Sequence, residues 1–345
     1  MKRPSTWLIA AVALLAALVY PFVFSSTEAT TIGFFALLYV GLAASWNING
    51  YTGYISLGHS AFFGIGAYTI ALFATRLGLQ GGYGLFAVAL LGGLVAGVAA
   101  LPLGFIALRV RTMHSFVIIT IAYVMMLQLL AYNLESITNG PNGLGVPQPA
   151  WSGAFFNIPF YFAALVLAVG TVLLSAWIRG SRFGLGLMAI RDDEDKAAGV
   201  GVDTWKYKLT AYVISAIPIG IGGAVYAYFA SYIYPQTVFD PTIDLGIVLS
   251  VFLGGTGTIL GPIVGALIIQ PAQQLLTLYT GNLGTAGWDL LLLGALFLVV
   301  ILLMPSGIVP SLVERARRTS VREAVTKADE TTPGAQTAVG GNGTS

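Results

Sequence analysis

The stretch GLFAVALLGGLVAGVAALPLGFIA, residues 84–107, decides the fold class of this chain. It contains no charged side chain. About 20 apolar residues in an α-helix cross the roughly 30 Å hydrocarbon core of a bilayer. A segment this long and this apolar predicts a helix that spans a membrane.

The composition of the whole chain extends this prediction. Of its 345 residues, 57% are hydrophobic and 9% are charged, and the mean hydropathy is +0.84. A single soluble core could not bury so much apolar surface. The 43 glycines and 15 prolines are better tolerated in membrane helices than in soluble ones. A net charge of +2 gives no indication of nucleic acid as a partner, and the absence of cysteine leaves the redox compartment undetermined.

Apolar runs recur along the chain and predict an all-α polytopic membrane protein with about ten transmembrane helices. Lys2 and Arg3 before the first run also fit a signal peptide, but no small-residue cleavage site follows, which favours a retained helix. The predicted spans are residues 7–24, 31–47, 60–75, 84–107, 115–133, 157–178, 208–230, 243–255, 259–279 and 288–305.

The basic residues predict how these helices are oriented. Lys and Arg near helix ends favour the cytoplasmic side of a membrane. If the N-terminus is inside, fifteen of the 16 basic residues are inside too, and only Arg76 is outside. Both termini are therefore predicted to be cytoplasmic.

Charge concentrates in the longest predicted cytoplasmic connection, residues 179–207. Its decapeptide AIRDDEDKAA contains four acids and two bases. The apolar spacing and an i,i+4 pair between Asp192 and Lys196 predict a short surface helix that Gly199 or Gly201 ends. Two interpretations stay open: a solvated turn, or a knob through which a cytoplasmic partner pushes on the bundle.

Residues 181–216, SRFGLGLMAIRDDEDKAAGVGVDTWKYKLTAYVISA, resemble the cytoplasmic coupling segment of permeases in the branched-chain amino acid ABC transporter family, in particular its LivM-like subunits. Four further stretches resemble the patterns of that family, in the same order. They are YISLGHSAFFGIGAYTIALF (54–73), ITNGPNGLGVP (137–147), VLSVFLGGTGTILGPIVGA (248–266) and MPSGIVP (304–310). The resemblance covers nearly all of residues 30–310.

The resemblance implies a transmembrane permease subunit of an ATP-driven importer in the inner membrane of a prokaryote. The implied partners are a LivH-like second permease, two cytoplasmic ATPases that bind ATP and magnesium, and an external solute-binding protein. The chain itself would be no enzyme and would need no cofactor. Seven residues match the helix that contacts the ATPase in this family, and they would contribute shape and charge to that contact. They are Arg191, Asp192, Asp193, Glu194, Ala197, Ala198 and Gly199.

The implied substrates are leucine, isoleucine and valine. Urea, short amides and other amino acids stay open as alternatives, because an external binding protein would select the substrate. The sequence also leaves open whether the permease pair is a heterodimer or a homodimer.

The residues themselves indicate that energy comes from another chain. No GxxxxGK[ST] phosphate-binding loop occurs in the sequence. Ion-coupled carriers bury ionisable groups within their spans, whereas Glu135, Asp240, Asp244 and Asp289 fall at or near predicted helix ends. A secondary carrier or channel, and a polytopic membrane enzyme, are therefore the less favoured alternatives.

The polar stretch NINGYTGYISLGHS, residues 47–60, fits neither a lipid-facing helix nor a long aqueous loop. It is either a re-entrant segment whose helix N-terminal amides face a substrate carboxylate, or a tight cytoplasmic turn. His59 is either a switch or ligand, or a hydrogen-bonded structural histidine. Two isolated histidines without cysteine predict no metal site. The candidate pathway residues in this stretch are Gly53, Ser56, Gly58, His59 and Ser60.

Turn-forming residues also concentrate in TNGPNGLGVP, residues 138–147. This segment is predicted to be external. It either contacts the binding protein, folds towards the substrate pathway, or is a structural loop. Asn139 and Asn142 complete the candidate pathway residues.

Four glycines in LGGTGTILGPIVGALIIQ, residues 253–270, recur three or four positions apart. This spacing predicts that Gly254, Gly257, Gly261 and Gly265 lie on one helix face. Close helix packing is the favoured interpretation, with direct substrate contact and a permease dimer interface as alternatives.

The composition changes after residue 310, which predicts the domain organisation. Residues 1–310 form one predicted transmembrane permease domain, with residues 179–207 as its cytoplasmic coupling loop. Residues 311–345 are charged or too polar to bury, and they predict a disordered cytoplasmic tail whose basic part lies against anionic membrane lipid.

Overall fold

A computed structural model of the chain describes residues 4–24, 26–110, 112–149, 151 and 156–281, with short pieces between 294 and 314. The described residues are mostly helical. In chain order the elements are α1 (Pro4–Val23), α2 (Thr27–Gly50), α3 (His59–Arg76), α4 (Gly84–Ala107), α5 (Met113–Asn133), α6 (Glu135–Thr138), a 3-10 turn (Gly140–Asn142), β1 (Leu144–Gly145), α7 (Ile158–Gly180), α8 (Arg182–Asp192), α9 (Glu194–Gly199), α10 (Thr204–Ala230), β2 (Tyr232–Ile233), α11 (Pro235–Val238), α12 (Pro241–Gly254) and α13 (Leu260–Gly281).

Helices cover nine of the ten predicted spans, with ends that agree within a few residues. The tenth, residues 288–305, falls almost wholly outside the described residues, as does the predicted tail after residue 314. The chain is a multi-pass membrane protein; ten crossings and cytoplasmic termini stay predictions. Six helical segments of the described part are long and apolar enough to cross a membrane, the last of them made of α11 and α12: Thr27–Gly50, Gly84–Ala107, Met113–Asn133, Ile158–Gly180, Thr204–Ala230 and Pro235–Gly254.

Local capping chemistry sets where several helices begin. The Ser26 side chain accepts a hydrogen bond from the Ala29 amide at the start of α2. Asp203 and Asp240 cap α10 and α12 in the same way. These side chains satisfy amides that the first helical turn leaves without a partner.

Helix α10 lies at the centre of the bundle. It packs against α2, α3 and α4, while α2 also packs against α7 and α13, and α12 pairs with α13. Small residues allow this close contact. A side chain at Gly66 of α3 would collide with the backbone of Gly220 in α10. The glycine content of the sequence is thus used where helix backbones meet.

The connections between helices gather at two opposite ends of the bundle. One end, which we name the basic end, contains the connections 51–58, 108–110, 181–203 and 255–259. Of the eight Lys and Arg residues that the structure describes, seven lie at this end, and Arg76 lies at the other. The bias of positive charge towards the cytoplasm predicts that the basic end is the cytoplasmic one.

The opposite end is tied together by short backbone pairings. Strands β1 and β2 pair antiparallel, with Leu144 opposite Ile233. Gly81 forms an isolated bridge to Pro149. The Tyr228 hydroxyl donates to the Gly82 carbonyl at 3.1 Å. The connections after α3, α5 and α10 therefore form one cap over this end.

Candidate functional site

The 179–207 connection folds as two short helices at the basic end. Helices α8 and α9 meet at Asp193, whose backbone is extended (φ −165°, ψ 108°). The Asp193 side chain accepts from the Lys196 amide at 3.0 Å and pairs with the Lys196 ammonium at 2.9 Å. The prediction of one helix with an Asp192–Lys196 pair was therefore wrong, because Asp193 interrupts the helix to cap α9. Gly201, at φ +91°, adopts the left-handed conformation predicted for a stop.

The residues predicted to contact an ATPase divide between two sides of this connection. Asp193 and Glu194 are half-buried, and Ala197 is buried against the bundle. The outward side also includes Val200, whose exposed fraction of 81% is high for an apolar side chain. The exposed members of the predicted set are Arg191, Asp192, Ala198 and Gly199.

Arg191 lies between two tight turns of the basic end. A side chain added at Gly53 (φ +81°) would contact the Arg191 Cγ, and one added at Gly257 (φ +75°) would collide with its guanidinium. Arg191 also approaches the Thr256 hydroxyl at 3.5 Å. The end of α8 thus contacts both the α2–α3 and the α12–α13 connections.

The α12–α13 turn is fixed from two further directions. The Asn47 amide of α2 donates to the Thr258 carbonyl at 2.8 Å and accepts from the Gly257 amide at 2.9 Å. Arg179, at the end of α7, donates to the Gly257 carbonyl. Three helices therefore hold one turn.

Glu194 connects α9 to the interior of the bundle. Its carboxylate accepts from the Lys208 ammonium of α10 at 2.6 Å and from the Tyr54 hydroxyl at 2.7 Å. Burial would raise the pKa of Glu194, but the bonds from Lys208 and Tyr54 outweigh it and hold the pKa below its ordinary value. Beside it lies a cavity of about 310 Å³ lined by Leu108, Arg109, Glu194, Thr204, Trp205 and Lys208.

The chain enters the bundle without helical structure after Tyr54. Residues 54–58 carry no regular helix, and Trp46 donates from its indole to the Ser56 carbonyl at 2.8 Å. His59 at the start of α3 bonds to the hydroxyl of Ser215, seven residues along α10 from Lys208. Seven helical residues rise about 10 Å, so α3 begins well inside the bundle. Non-helical backbone is tolerated at this depth because protein surrounds it.

Four buried polar residues meet at the start of α3, and we name them the polar junction: His59, Ser60, Ser215 and Asp244. The Asp244 carboxylate accepts from the backbone amides of His59 and Ser60 at 3.0 and 3.1 Å. It also accepts from the Ser60 hydroxyl at 2.5 Å. The carboxylate therefore caps α3 from a different helix, α12.

The polar junction changes two expectations. Asp244 lies in the first turn of α12, near a helix end as predicted, yet it is only 1% exposed, so the inference that this position keeps it out of the interior was wrong: the amides of α3 bond to its carboxyl group inside the bundle. The re-entrant interpretation predicts that the first amides of α3 face a substrate carboxylate. In the structure these amides donate to the Asp244 side chain instead. His59 is fully buried and bonded to Ser215 at 2.9 Å, as the structural interpretation predicts.

Ser56 and Gly58 line the extended entry, whereas Asn139 and Asn142 lie at the opposite end of the bundle. Asn139 adopts the left-handed conformation (φ 60°), and its amide donates to the Gly143 carbonyl at 2.9 Å. The backbone carbonyl of Asn142 accepts from the Tyr232 hydroxyl at 2.7 Å. The candidate pathway residues therefore form two separate groups, one that leads from the basic end into the bundle and one at the opposite end.

The four predicted glycines do not share one helix face, so that prediction was wrong. Gly254 ends α12, Gly257 lies in the following turn, and Gly261 and Gly265 belong to α13. Positive φ angles at Gly255 (+116°) and Gly257 break the helix. A side chain at Gly254 or Gly265 would still collide with backbone across the α12–α13 contact.

Comparison with known proteins identifies the family of this chain. Residues 29–301 match the family model described as "Branched-chain amino acid transport system / permease component". The chain belongs to this family. Its match covers all of α2 but the first two residues and every helix from α3 to α13, including the polar junction and the connection with α8 and α9.

Curated relatives of this permease family agree with that assignment. The LivM permease protein of the high-affinity branched-chain amino acid transport system of Salmonella typhimurium is 28% identical over 86% of this chain and 73% of that protein. The LivM protein of Escherichia coli is 27% identical with the same coverage. The LivH protein of Escherichia coli is 26% identical over 79% of this chain and 90% of that protein. No solved structure matches the chain.

Three residues of this permease were missed by reasoning from the sequence. Lys208 was the first residue and Asp244 the second residue of a predicted span, where a charge is ordinarily taken as a solvated end. The signal was their position inside apolar runs, since a charge there requires a buried partner. Val200 stood beside the charged decapeptide, and its apolar side chain in a polar connection was the available signal.

Proposed function

We infer that this permease is the transmembrane subunit of an ATP-driven importer and that residues 179–207 receive the push of a cytoplasmic ATPase. One observation carries this proposal. The connection presents an exposed tip, Ala198 to Val200, while Arg191 and Glu194 bond it to the bundle. An exposed apolar tip suits docking, and the inner bonds suit transmission of a rigid-body movement.

The proposal includes the partners that the sequence resemblance implies. They are a LivH-like second permease, two ATPases that bind ATP and magnesium, and an external solute-binding protein. LivM and LivH relatives support a pair of permeases. The complex would reside in the inner membrane of a prokaryote. The basic end would face the cytoplasm, and the opposite end, with the cap that contains β1 and β2, would face the binding protein.

Branched-chain amino acids are the proposed substrates, because the matching family and its relatives carry that description. Urea, short amides and other amino acids are the alternatives. Calorimetry on the proposed external binding protein tests the choice. Tight binding of leucine, isoleucine or valine supports it, and tight binding of urea or an amide instead of these would refute it.

One observation favours a second candidate, an ATP-independent carrier. A carboxylate buried within the bundle, such as Asp244, is what a proton- or sodium-coupled carrier requires. The three donors around Asp244 make it a helix cap in the present arrangement, which favours a structural role.

Reconstitution separates the two candidates. The full complex in liposomes is expected to accumulate labelled leucine only with ATP on the ATPase side. An ATPase variant without its phosphate-binding lysine is the control and should abolish accumulation. Accumulation by this chain alone under a proton or sodium gradient would overturn the ATP-driven proposal.

A further inference from the structure

A polar contact between α9 and the bundle involves a lysine that is almost completely buried. Lys208 is 2% exposed, and Glu194 is 26% exposed. Their side chains form an ion pair at 2.6 Å, and the Lys208 ammonium also donates to the Tyr54 hydroxyl at 3.3 Å and lies 4.4 Å from the centre of its ring. Three segments of the basic end therefore meet at one buried charge.

The energetics of this contact differ from those of a surface ion pair. Exposed pairs contribute little because water screens them and long side chains lose entropy. A buried ammonium is different, since loss of its carboxylate leaves an uncompensated charge inside the protein. Lys208 therefore requires Glu194 to stay in place, and α9 cannot move away from α10 without a large cost.

The position of Lys208 on α10 gives the contact a route into the bundle. Seven residues further along α10, Ser215 bonds to His59 of the polar junction, and the Ser45 hydroxyl of α2 donates to the Ser215 carbonyl at 2.6 Å. Tyr54 lies at the start of the extended segment that leads to His59. Lys208 and Tyr54 are thus both connected to the start of α3, Lys208 through helix α10 and Tyr54 through the 54–58 segment.

We propose that Glu194 is a positioning residue that acts inward, joining α9 to α10 and to the 54–58 segment through Lys208 and Tyr54, so that movement of α9 reaches the polar junction. This inference rests on the proposed ATP-driven function. It assigns the Glu194 carboxylate to a contact within the chain, whereas the exposed tip at Ala198–Val200 faces the ATPase. The 54–58 segment and α10 are then displaced together when α9 is displaced.

A charge swap distinguishes an inward contact from a docking contact. Glu194→Lys and Lys208→Glu should each lower ATP-driven uptake roughly tenfold or more, because each leaves like charges facing each other inside the protein. The double variant E194K/K208E should recover uptake to within about threefold of the wild-type complex, because it restores the pair. Uptake by the double variant as low as by the single variants would overturn the proposal.

Asp192 provides the matched control, since it lies two residues before Glu194 but is exposed. Asp192→Lys makes the same charge reversal on the outward side. Lys208→Glu should not rescue Asp192→Lys, because the described bonds of the Lys208 ammonium go to Glu194 and Tyr54. Equal rescue of both reversals would indicate a general charge effect at the ATPase interface and would overturn the proposal.

Amide hydrogen exchange gives a readout that does not depend on transport. In the chain purified into lipid nanodiscs with its permease partner and without ATPases, Lys208→Met should speed exchange of residues 194–199, because α9 loses its buried attachment. Lys206→Ala, an exposed substitution two residues away, is the control and should leave that exchange unchanged. Unchanged exchange in Lys208→Met would overturn the contact itself.

The two readouts also separate this inference from the proposed function. If the complex transports without ATP, the ATP-driven function fails, yet faster exchange in Lys208→Met would still establish the attachment. If ATP drives uptake but Lys208→Glu leaves it at the wild-type rate, the positioning role fails and the importer assignment stands.

Discussion

Ser60 of α3 and Asp244 of α12 lie 184 residues apart in the sequence, and the Ser60 hydroxyl donates to the Asp244 carboxylate at 2.5 Å. The same carboxylate accepts the first amides of α3. The three donors stabilise the buried carboxylate of Asp244. In return, the carboxylate accepts hydrogen bonds from amides of the first turn of α3 that have no partner within the helix. Helices α3 and α12 therefore depend on each other at this point.

We expect Asp244→Ala to reduce stability on the order of 3 kcal/mol, because it leaves buried donors of α3 without an acceptor. Asp240→Ala is the matched control, since Asp240 only caps α12 itself and its loss should cost about 1 kcal/mol. Thermal unfolding of both variants in nanodiscs measures the difference. Equal Tm values for the two variants would show that the Asp244 contact contributes nothing beyond an ordinary cap.

The positions of the helices were predictable from the sequence, because each span is set by local hydropathy. The run 84–107 coincides with α4, and the other described spans differ from their helices by a few residues. The break at Asp193 was not predicted. There the helical spacing of apolar residues continues across α8 and α9, and only the capping bonds of Asp193 show that the helix is interrupted.

The contacts of the candidate site were harder to predict, because they join residues far apart in sequence. The polar character of residues 47–60 left open a re-entrant segment or a tight cytoplasmic turn, and residues 54–58 are a non-helical entry that follows a turn at residues 51–53. The acceptor for its helix amides, Asp244, is supplied from a distant segment that no local pattern identifies. Glu194 was assigned to docking from its place in a motif, whereas its partner Lys208 required the fold.

The α12–α13 contact leaves no room for a side chain at Gly265. We expect Gly265→Ala to destabilise the protein by about 1 to 3 kcal/mol, because its Cβ would collide with the Ser250 carbonyl. Gly170→Ala on α7 is the control, since nothing lies within 4 Å of that position. Its expected effect is neutral or a gain of up to about 1 kcal/mol from helix propensity. A Tm of Gly265→Ala at or above that of Gly170→Ala would contradict the packing role.

The attachment of Glu194 predicts a pH dependence. A carboxylate whose pKa is lowered in the folded protein adds stability above its unfolded pKa, near 4.5, and this contribution disappears as the pH falls through the folded pKa. We expect wild type to exceed Glu194→Gln in Tm at pH about 6 to 8, and the difference to shrink below pH about 4. Unfolding curves of both proteins from acid to neutral pH measure this, and a difference that grows in acid would have the wrong sign.

The exposed tip of α9 predicts a docking defect that leaves the fold intact. Val200→Asp replaces an apolar side chain that is 81% exposed, so folding loses little, while an apolar contact with an ATPase would be lost. We expect at least a fivefold lower yield of co-purified ATPase, on the order of 1 kcal/mol of binding. Lys206→Ala on the first turn of α10 is the control and should keep the wild-type yield. Wild-type ATPase recovery with Val200→Asp would exclude this tip from the docking surface.

Asn139 and Asn142 at the opposite end give a test of the candidate pathway. The double variant N139A/N142A should slow uptake while the amount of folded protein in the membrane stays unchanged. Asn139 also holds a left-handed turn, so Asn139→Gly, which tolerates φ 60°, separates the side-chain amide from the backbone conformation. If the amide acts on the pathway, Asn139→Gly slows uptake as much as Asn139→Ala. Full transport by N139A/N142A at a normal membrane level would remove both asparagines from the pathway and leave them the role of holding the turn.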